Sequence, residues 1–209
     1  MRIPKPTTGV GAVVELIVIV ALAIGLALGI QAFVVKPYQI PSESMVPTLE
    51  VHQRVLVNRL TYKLGADPSP GDVVVFHPPV TAETGYTGGP QCTAPREQGQ
   101  VCPVNDPRES EENFIKRVVA GPGDTITIEK GIPIVNGEPF TGDWETRPCG
   151  NLGGCDFAQP MTVPPDHYFM MGDNRGSSDD SRYWGPVPRD WIIGSAIATY
   201  WPPDRVGLM

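Results

Sequence analysis

Two serines stand two residues apart in Tyr38-Gln39-Ile40-Pro41-Ser42-Glu43-Ser44-Met45-Val46-Pro47-Thr48-Leu49, between prolines that stiffen the backbone. A lysine stands among apolar neighbours in Phe114-Ile115-Lys116-Arg117-Val118-Val119. As a strand, that segment turns Phe114, Lys116 and Val118 to one face and Ile115, Arg117 and Val119 to the other. An amine so flanked is a candidate for burial, and burial disfavours its charged form. A neutral lysine is a general base available near neutral pH. Each segment also has a plainer reading. Ser42 and Ser44 would suit a Pro/Ser linker with a helix-capping hydroxyl. Lys116 could stretch its ammonium from an edge strand to water.

A third segment, Gly172-Asp173-Asn174-Arg175-Gly176-Ser177-Ser178-Asp179-Asp180-Ser181-Arg182-Tyr183-Trp184-Gly185-Pro186, packs charges of both signs beside aromatics. That density predicts a fixed hydrogen-bond network. A calcium loop is the rival for these acids. Arg175, however, falls at the loop's third position counted from Asp173, where an oxygen ligand is required, and no glutamate closes the loop. The three histidines, His52, His77 and His167, sit in no triad or metal motif. No G-x-S-x-G elbow, H-E-x-x-H or P-loop occurs. The expected chemistry therefore uses neither metal nor cofactor.

These segments need a scaffold, and the 209 residues divide into two parts. Leu16 to Val35 is apolar throughout except for Gln31, long enough as a helix to cross the ~30 Å hydrocarbon core of a bilayer. A cleaved secretory signal would have a shorter core of ~7–15 residues and a small-x-small site behind it, where this chain has Phe33-Val34-Val35-Lys36-Pro37. The expectation is a retained anchor over 15–35, with a short cytoplasmic tail over 1–14 that carries Arg2 and Lys5. All four cysteines come after the span, as Cys92-x9-Cys102 and Cys149-x5-Cys155. Their spacing is loose for metal ligation and suits two local disulfides in an oxidising compartment. Residues 36–209 are accordingly expected outside the cytoplasm.

The outer domain reads as mainly β. Gly and Pro number 23 and 24, and they fall between Val/Ile/Thr-rich segments. Strands are expected at 55–58, 72–76, 113–119, 125–129, 132–135, 168–171 and 191–201, with Asn136-Gly137 as a hairpin turn. Two stretches, about 77–112 and 140–165, hold the cysteine pairs and read as irregular insertions. The net charge is −7, and only five lysines occur, so a nucleic-acid partner is excluded.

Pro41-Ser42-Glu43-Ser44-Met45-Val46-Pro47-Thr48-Leu49, Gly71-Asp72-Val73-Val74-Val75-Phe76, the segment 114–124 and the segment 172–188, in this order behind one span, resemble bacterial type I signal peptidase. The resemblance implies an antiparallel, coiled β-sheet domain beside the membrane. It implies a Ser–Lys dyad of Ser44 as nucleophile and Lys116 as general base. Ser42 would assist the oxyanion hole and Ser178 would orient the lysine. Asp173, Arg175, Asp180 and Arg182 would form a salt-bridged scaffold behind them. The implied substrates are secreted preproteins, cut after a small-x-small motif by a bilayer-anchored enzyme, expected to be a monomer. The alternative is a specialised Ser–Lys peptidase of a conjugation or pilus system. Tyr38, Ile40, Met45 and Leu49 flank the nucleophile and are expected to line shallow pockets, and the resemblance adds Ile115. Glu43 and Gly176 depart from the residues usual in the family.

Overall fold

The structure is a computed structural model, which describes residues 9–83, 91–150 and 155–209. Residues 1–8 of the expected tail, with Arg2 and Lys5, lie outside the described residues. So do 84–90 and 151–154 within the two expected insertions.

The described residues begin with α1 (Gly9–Phe33), whose large apolar side chains from Val10 to Leu28 are exposed. Gly9–Gly29 is long and apolar enough to cross a membrane, with a mean hydropathy of 2.7. The helix starts earlier than the expected span and ends sooner. Val35, expected as its last residue, instead begins β1 (Val35–Gln39), which pairs antiparallel with β2 (Arg54–Asn58). Pro37 explains the change: proline disfavours helix at the residue before it and lacks a ladder donor, so it sits on an edge strand.

Eight strands build the larger sheet among the described residues. They are β1, β2, β3 (Val73–Phe76), β4 (Phe114–Ala120), β9 (His167–Met171), β10 (Val187–Pro188), β11 (Ile192–Trp201) and β12 (Gly207–Leu208). The order is β1-β2-β11-β3-β4-β9-β10, with β12 also on β11. A second sheet runs β7 (Glu138–Pro139), β6 (Ile132–Val135), β5 (Thr125–Glu129), β8 (Phe157–Thr162). Every pairing is antiparallel.

Period-2 patterning decides what each strand buries. Val74 and Phe76 of β3 enter one core with Val118, Met170 and Trp184. Val73 and Val75 face the other way, onto Ile40, Met45, Leu49 and Ile115. Ile126 and Ile128 of β5 join Val119, Phe169 and Met171 in a third core. Asn136 and Gly137 both have positive φ (53° and 87°), as a two-residue hairpin turn between β6 and β7 requires.

The insertions are more ordered than expected. Beyond α2 (Leu60–Lys63), a second short helix, α3 (Val80–Glu83), lies in the first insertion. The second insertion holds β8, whose Phe157 and Met161 are buried while Ala158, Gln159 and Pro160 face out. Proline and glutamine within that strand concealed it. The disulfides are local, as expected: Cys92–Cys102 and Cys149–Cys155, with Cα–Cα distances of 5.6 and 6.0 Å.

Candidate active site

Ser44 sits in a single 3-10 turn, Glu43–Met45, that carries β1 toward β2. Met45, fully buried, anchors the turn in the core beneath it. The turn is clamped by the segment that follows β9. Asn174 donates its backbone N–H to the Ser44 carbonyl at 3.0 Å and its amide to the Glu43 carbonyl at 3.1 Å. Gly172 approaches so closely that a Cβ there would lie 2.4 Å from the Ser44 carbonyl oxygen.

Register brings the lysine to this turn. Strand β4 pairs with β3 over Phe114–Arg117, with Lys116 opposite Val74, whereas β9 joins β4 only from Arg117 onward. The β9-side edge at Phe114–Lys116 is left open, and Ser44 stands beside it. The Lys116 Nζ is 2.7 Å from the Ser44 Oγ, in a hydrogen bond. Lys116 is 4% exposed, and the Phe114 ring lies 5.3 Å from its Nζ. Burial lowers its pKa to about 8, against the opposing pull of the Asp180 and Asp179 carboxylates. The Ser42 hydroxyl is 3.2 Å from that of Ser44. Pro41, Ser42, Ser44, Phe114, Ile115 and Lys116 line a cleft of about 200 Å³, together with Glu112, Asn113 and Asp179. A larger cavity of about 840 Å³ lies elsewhere, around Arg117, Trp144 and the chain's last residues. It contains neither the serine pair nor the lysine, and the site's chemistry belongs to the small cleft.

Three of the four expected scaffold residues take part in buried ion pairs. Asp180 and Arg182, both fully buried, bond each other through Nε–Oδ1 at 2.7 Å and Nη2–Oδ2 at 2.9 Å. Burial alone would raise the Asp180 carboxyl, but the Arg182 charge and hydrogen bonds outweigh it and hold it below the usual range. Asp173 pairs not with Arg175 but with Arg117, through Nε–Oδ1 at 2.9 Å and Nη2–Oδ2 at 2.7 Å, and it accepts from Thr48. Arg117 comes after Lys116 in β4, so alternation turns it to the sheet face away from the lysine. Arg175 instead donates to the Gly131 carbonyl.

Ser178 is buried beside Gly172, where a Cβ would come within 2.2 Å of its hydroxyl. The expected hydrogen bond to Lys116 is absent. The buried hydroxyl has no hydrogen-bond partner among the described residues. Of the five expected pocket residues, only Ile115 lines the cleft. Ile40, Met45 and Leu49 are sealed in the core and Tyr38 packs on it, because the turn that lifts Ser44 drives its apolar neighbours inward. Gly172, Asn174 and Arg117 were not singled out as site residues in the sequence. All three lie in segments quoted there, Arg117 beside the lysine and off its face, Gly172 and Asn174 in the charged stretch.

The profile of the family described as "Signal peptidase, peptidase S26" matches residues 13–201. A "Signal peptidase I" of Leptolyngbya laminosa is 37% identical over 188 residues, covering 90% of this chain and 79% of that protein. A "Signal peptidase I" of Mycobacterium tuberculosis (strain CDC 1551 / Oshkosh) is 34% identical, covering 93% of this chain and 74% of that protein. A crystal structure of a signal peptidase I from Enterococcus faecalis V583 overlays 62% of this chain and 97% of its own, at 22% identity and a TM-score of 0.38.

Proposed function

The chain belongs to the signal peptidase family, peptidase S26, and from that premise we infer that it removes N-terminal signal peptides from secreted preproteins by means of Ser44 and Lys116. The enzyme is a serine peptidase. The observation that carries the assignment of roles is the 2.7 Å contact between a buried lysine amine and a serine hydroxyl.

With a pKa of about 8, about one Lys116 amine in ten is neutral at pH 7, against fewer than one in a thousand for a lysine in water. The neutral amine accepts the hydroxyl proton as Ser44 Oγ attacks the scissile carbonyl. The Ser42 hydroxyl, beside it, donates to the oxyanion. The Lys116 ammonium then protonates the leaving amine. An acyl group remains on Ser44, and a water that gives its proton to Lys116 hydrolyses it. Asp180–Arg182 and Asp173–Arg117 brace the segment after β9 without touching the reacting atoms.

The open β4 edge at Phe114–Lys116 suits an extended substrate that adds a strand there. Alternate side chains of such a strand turn toward the cleft. A cleft of about 200 Å³ accommodates small side chains at those positions, which supports cleavage after small-x-small. For the anchor, α1 supports a single membrane span. We further propose that its N-terminus is cytoplasmic and the β domain extracytoplasmic, supported by Arg2 and Lys5 ahead of the span and the disulfides beyond it. The enzyme would then meet preproteins in the bilayer as a monomer.

Incubating the purified protein with a preprotein and sequencing the product's N-terminus tests this. The expected product starts directly after a small-x-small site, and an intact preprotein would contradict the reading.

A further inference from the structure

We propose that Asp179 makes the catalytic cleft an acidic subsite, which favours substrates carrying lysine or arginine beside the scissile bond. This deepens the peptidase reading and rests on it.

Asp179 lines the same cleft as Ser42, Ser44 and Lys116, yet the mechanism makes no use of it. Its Oδ2 accepts from the Gln91 amide at 2.5 Å. Its Oδ1 is enclosed and has no hydrogen-bond partner among the described residues. A carboxylate oxygen withdrawn from water without a donor is unfavourable, and a donor brought by the substrate removes that cost.

The charges around it point to a cation. Arg182 is taken up by Asp180. Lys116 must be neutral to act as a base, so among the described residues the competent enzyme has no free cation lining the cleft. Glu112, in the same cleft, adds negative charge. A lysine or arginine stem can lie along Phe114 and Ile115 and carry its charge to Asp179. Burial, with a smaller contribution from the Asp180 charge, raises the Asp179 carboxyl to about 6, against the hydrogen bond from Gln91. The group is therefore ionised at neutral pH and becomes neutral as the pH falls through about 6. Lys116 titrates higher, near 8, and its protonation alters cleavage of charged and uncharged substrates alike.

The test is a peptide series with a fixed small-x-small site and Lys, Arg, Gln or Glu placed in turn at each neighbouring position. At one position, kcat/KM for Lys and Arg should exceed that for Gln by about tenfold, carried mainly by KM, with Glu poorer than Gln. The Lys/Gln ratio should shrink as the pH falls through about 6 in the unaltered enzyme, and approach one in Asp179→Asn. A purely structural role for Asp179 would scale all peptides together. Equal kcat/KM for Lys and Gln at every position would overturn the proposal, and so would a ratio that survives Asp179→Asn. Cleavage of the Gln peptides would in either case leave the peptidase reading standing. If Asp179→Asn does not fold, the pH dependence of the ratio in the unaltered enzyme decides.

Discussion

The carbonyl oxygen of Ser44 lies 2.4 Å from the point where a Cβ on Gly172 would stand, so the loop after β9 touches the nucleophile's own backbone. The same Cβ would meet the Ser178 hydroxyl at 2.2 Å. Gly172→Ala must therefore displace one or both serines. Misplacement on the scale of 1 Å costs on the order of 100-fold in rate. The expected outcome is such a fall in kcat, with unfolding free energy lowered by about 1–3 kcal/mol. Peptide kinetics and thermal unfolding check both, and activity within twofold of the parent would show that the contact is idle.

Ser44→Ala should remove cleavage and leave the fold intact, since a hydroxyl beside the cleft supports little packing. Ser42→Ala should be milder, with kcat down by about 100–1,000-fold, the range for losing one oxyanion donor. Lys116→Arg should be inactive although it keeps the charge, because guanidinium does not give up its proton near neutrality. Single-turnover assays separate these variants. Equal, complete loss in Ser42→Ala and Ser44→Ala would mean that the two roles are misassigned.

Asp180→Ala should destabilise the domain by about 3–5 kcal/mol, because it strands Arg182 as a fully buried, unpaired charge. The Asp180 carboxyl is held below its unfolded value. Its stabilising contribution is therefore present above about pH 4 and is lost as the pH falls below that. Thermal melts should show a deficit for the variant that is large at pH 7 and narrows toward pH 3. A deficit that is small, or that does not change with pH, would count against the pair as a major support.

Replacing Cys149 and Cys155 together by serine should cost about 2–3 kcal/mol by the loop-entropy estimate. It should also slow catalysis. The carbonyl oxygen of Cys149 would be 3.1 Å from a Cβ on Gly176, and the Cys149 Sγ is 3.9 Å from Arg182 Nη1, so Cys149 braces the segment that holds Ser178 and Asp180. Denaturant titration and kcat measured on the same samples check the two effects.

Features set by local pattern were legible in the sequence. Ile126 and Ile128 alternate with threonines, Asn136-Gly137 marks its hairpin, and Lys116 stands between Phe114 and Val118; each reads directly from period and turn chemistry. Strand β8 escaped because Gln159 and Pro160 interrupt its apolar positions. The Asp173–Arg117 pair escaped because its partners are 56 residues apart and meet only when β4 and β9 align. Met45 and Leu49 looked like pocket walls because adjacency to Ser44 in the chain does not say which way a turn points its neighbours. Gly172 and Asn174 matter through contacts with Ser44 and Glu43, distances no single segment encodes.

The pH dependence of kcat/KM on an uncharged peptide tests the Ser–Lys account most directly. Catalysis needs the neutral amine, so the rate should rise with pH through a single ionisation near 8, the value to which burial brings Lys116. That limb should be unaffected by replacing His52, His77 or His167. An acid limb near 6.5 that disappears with one of those histidines, or a limb near 10.4 as for a lysine in water, would contradict it.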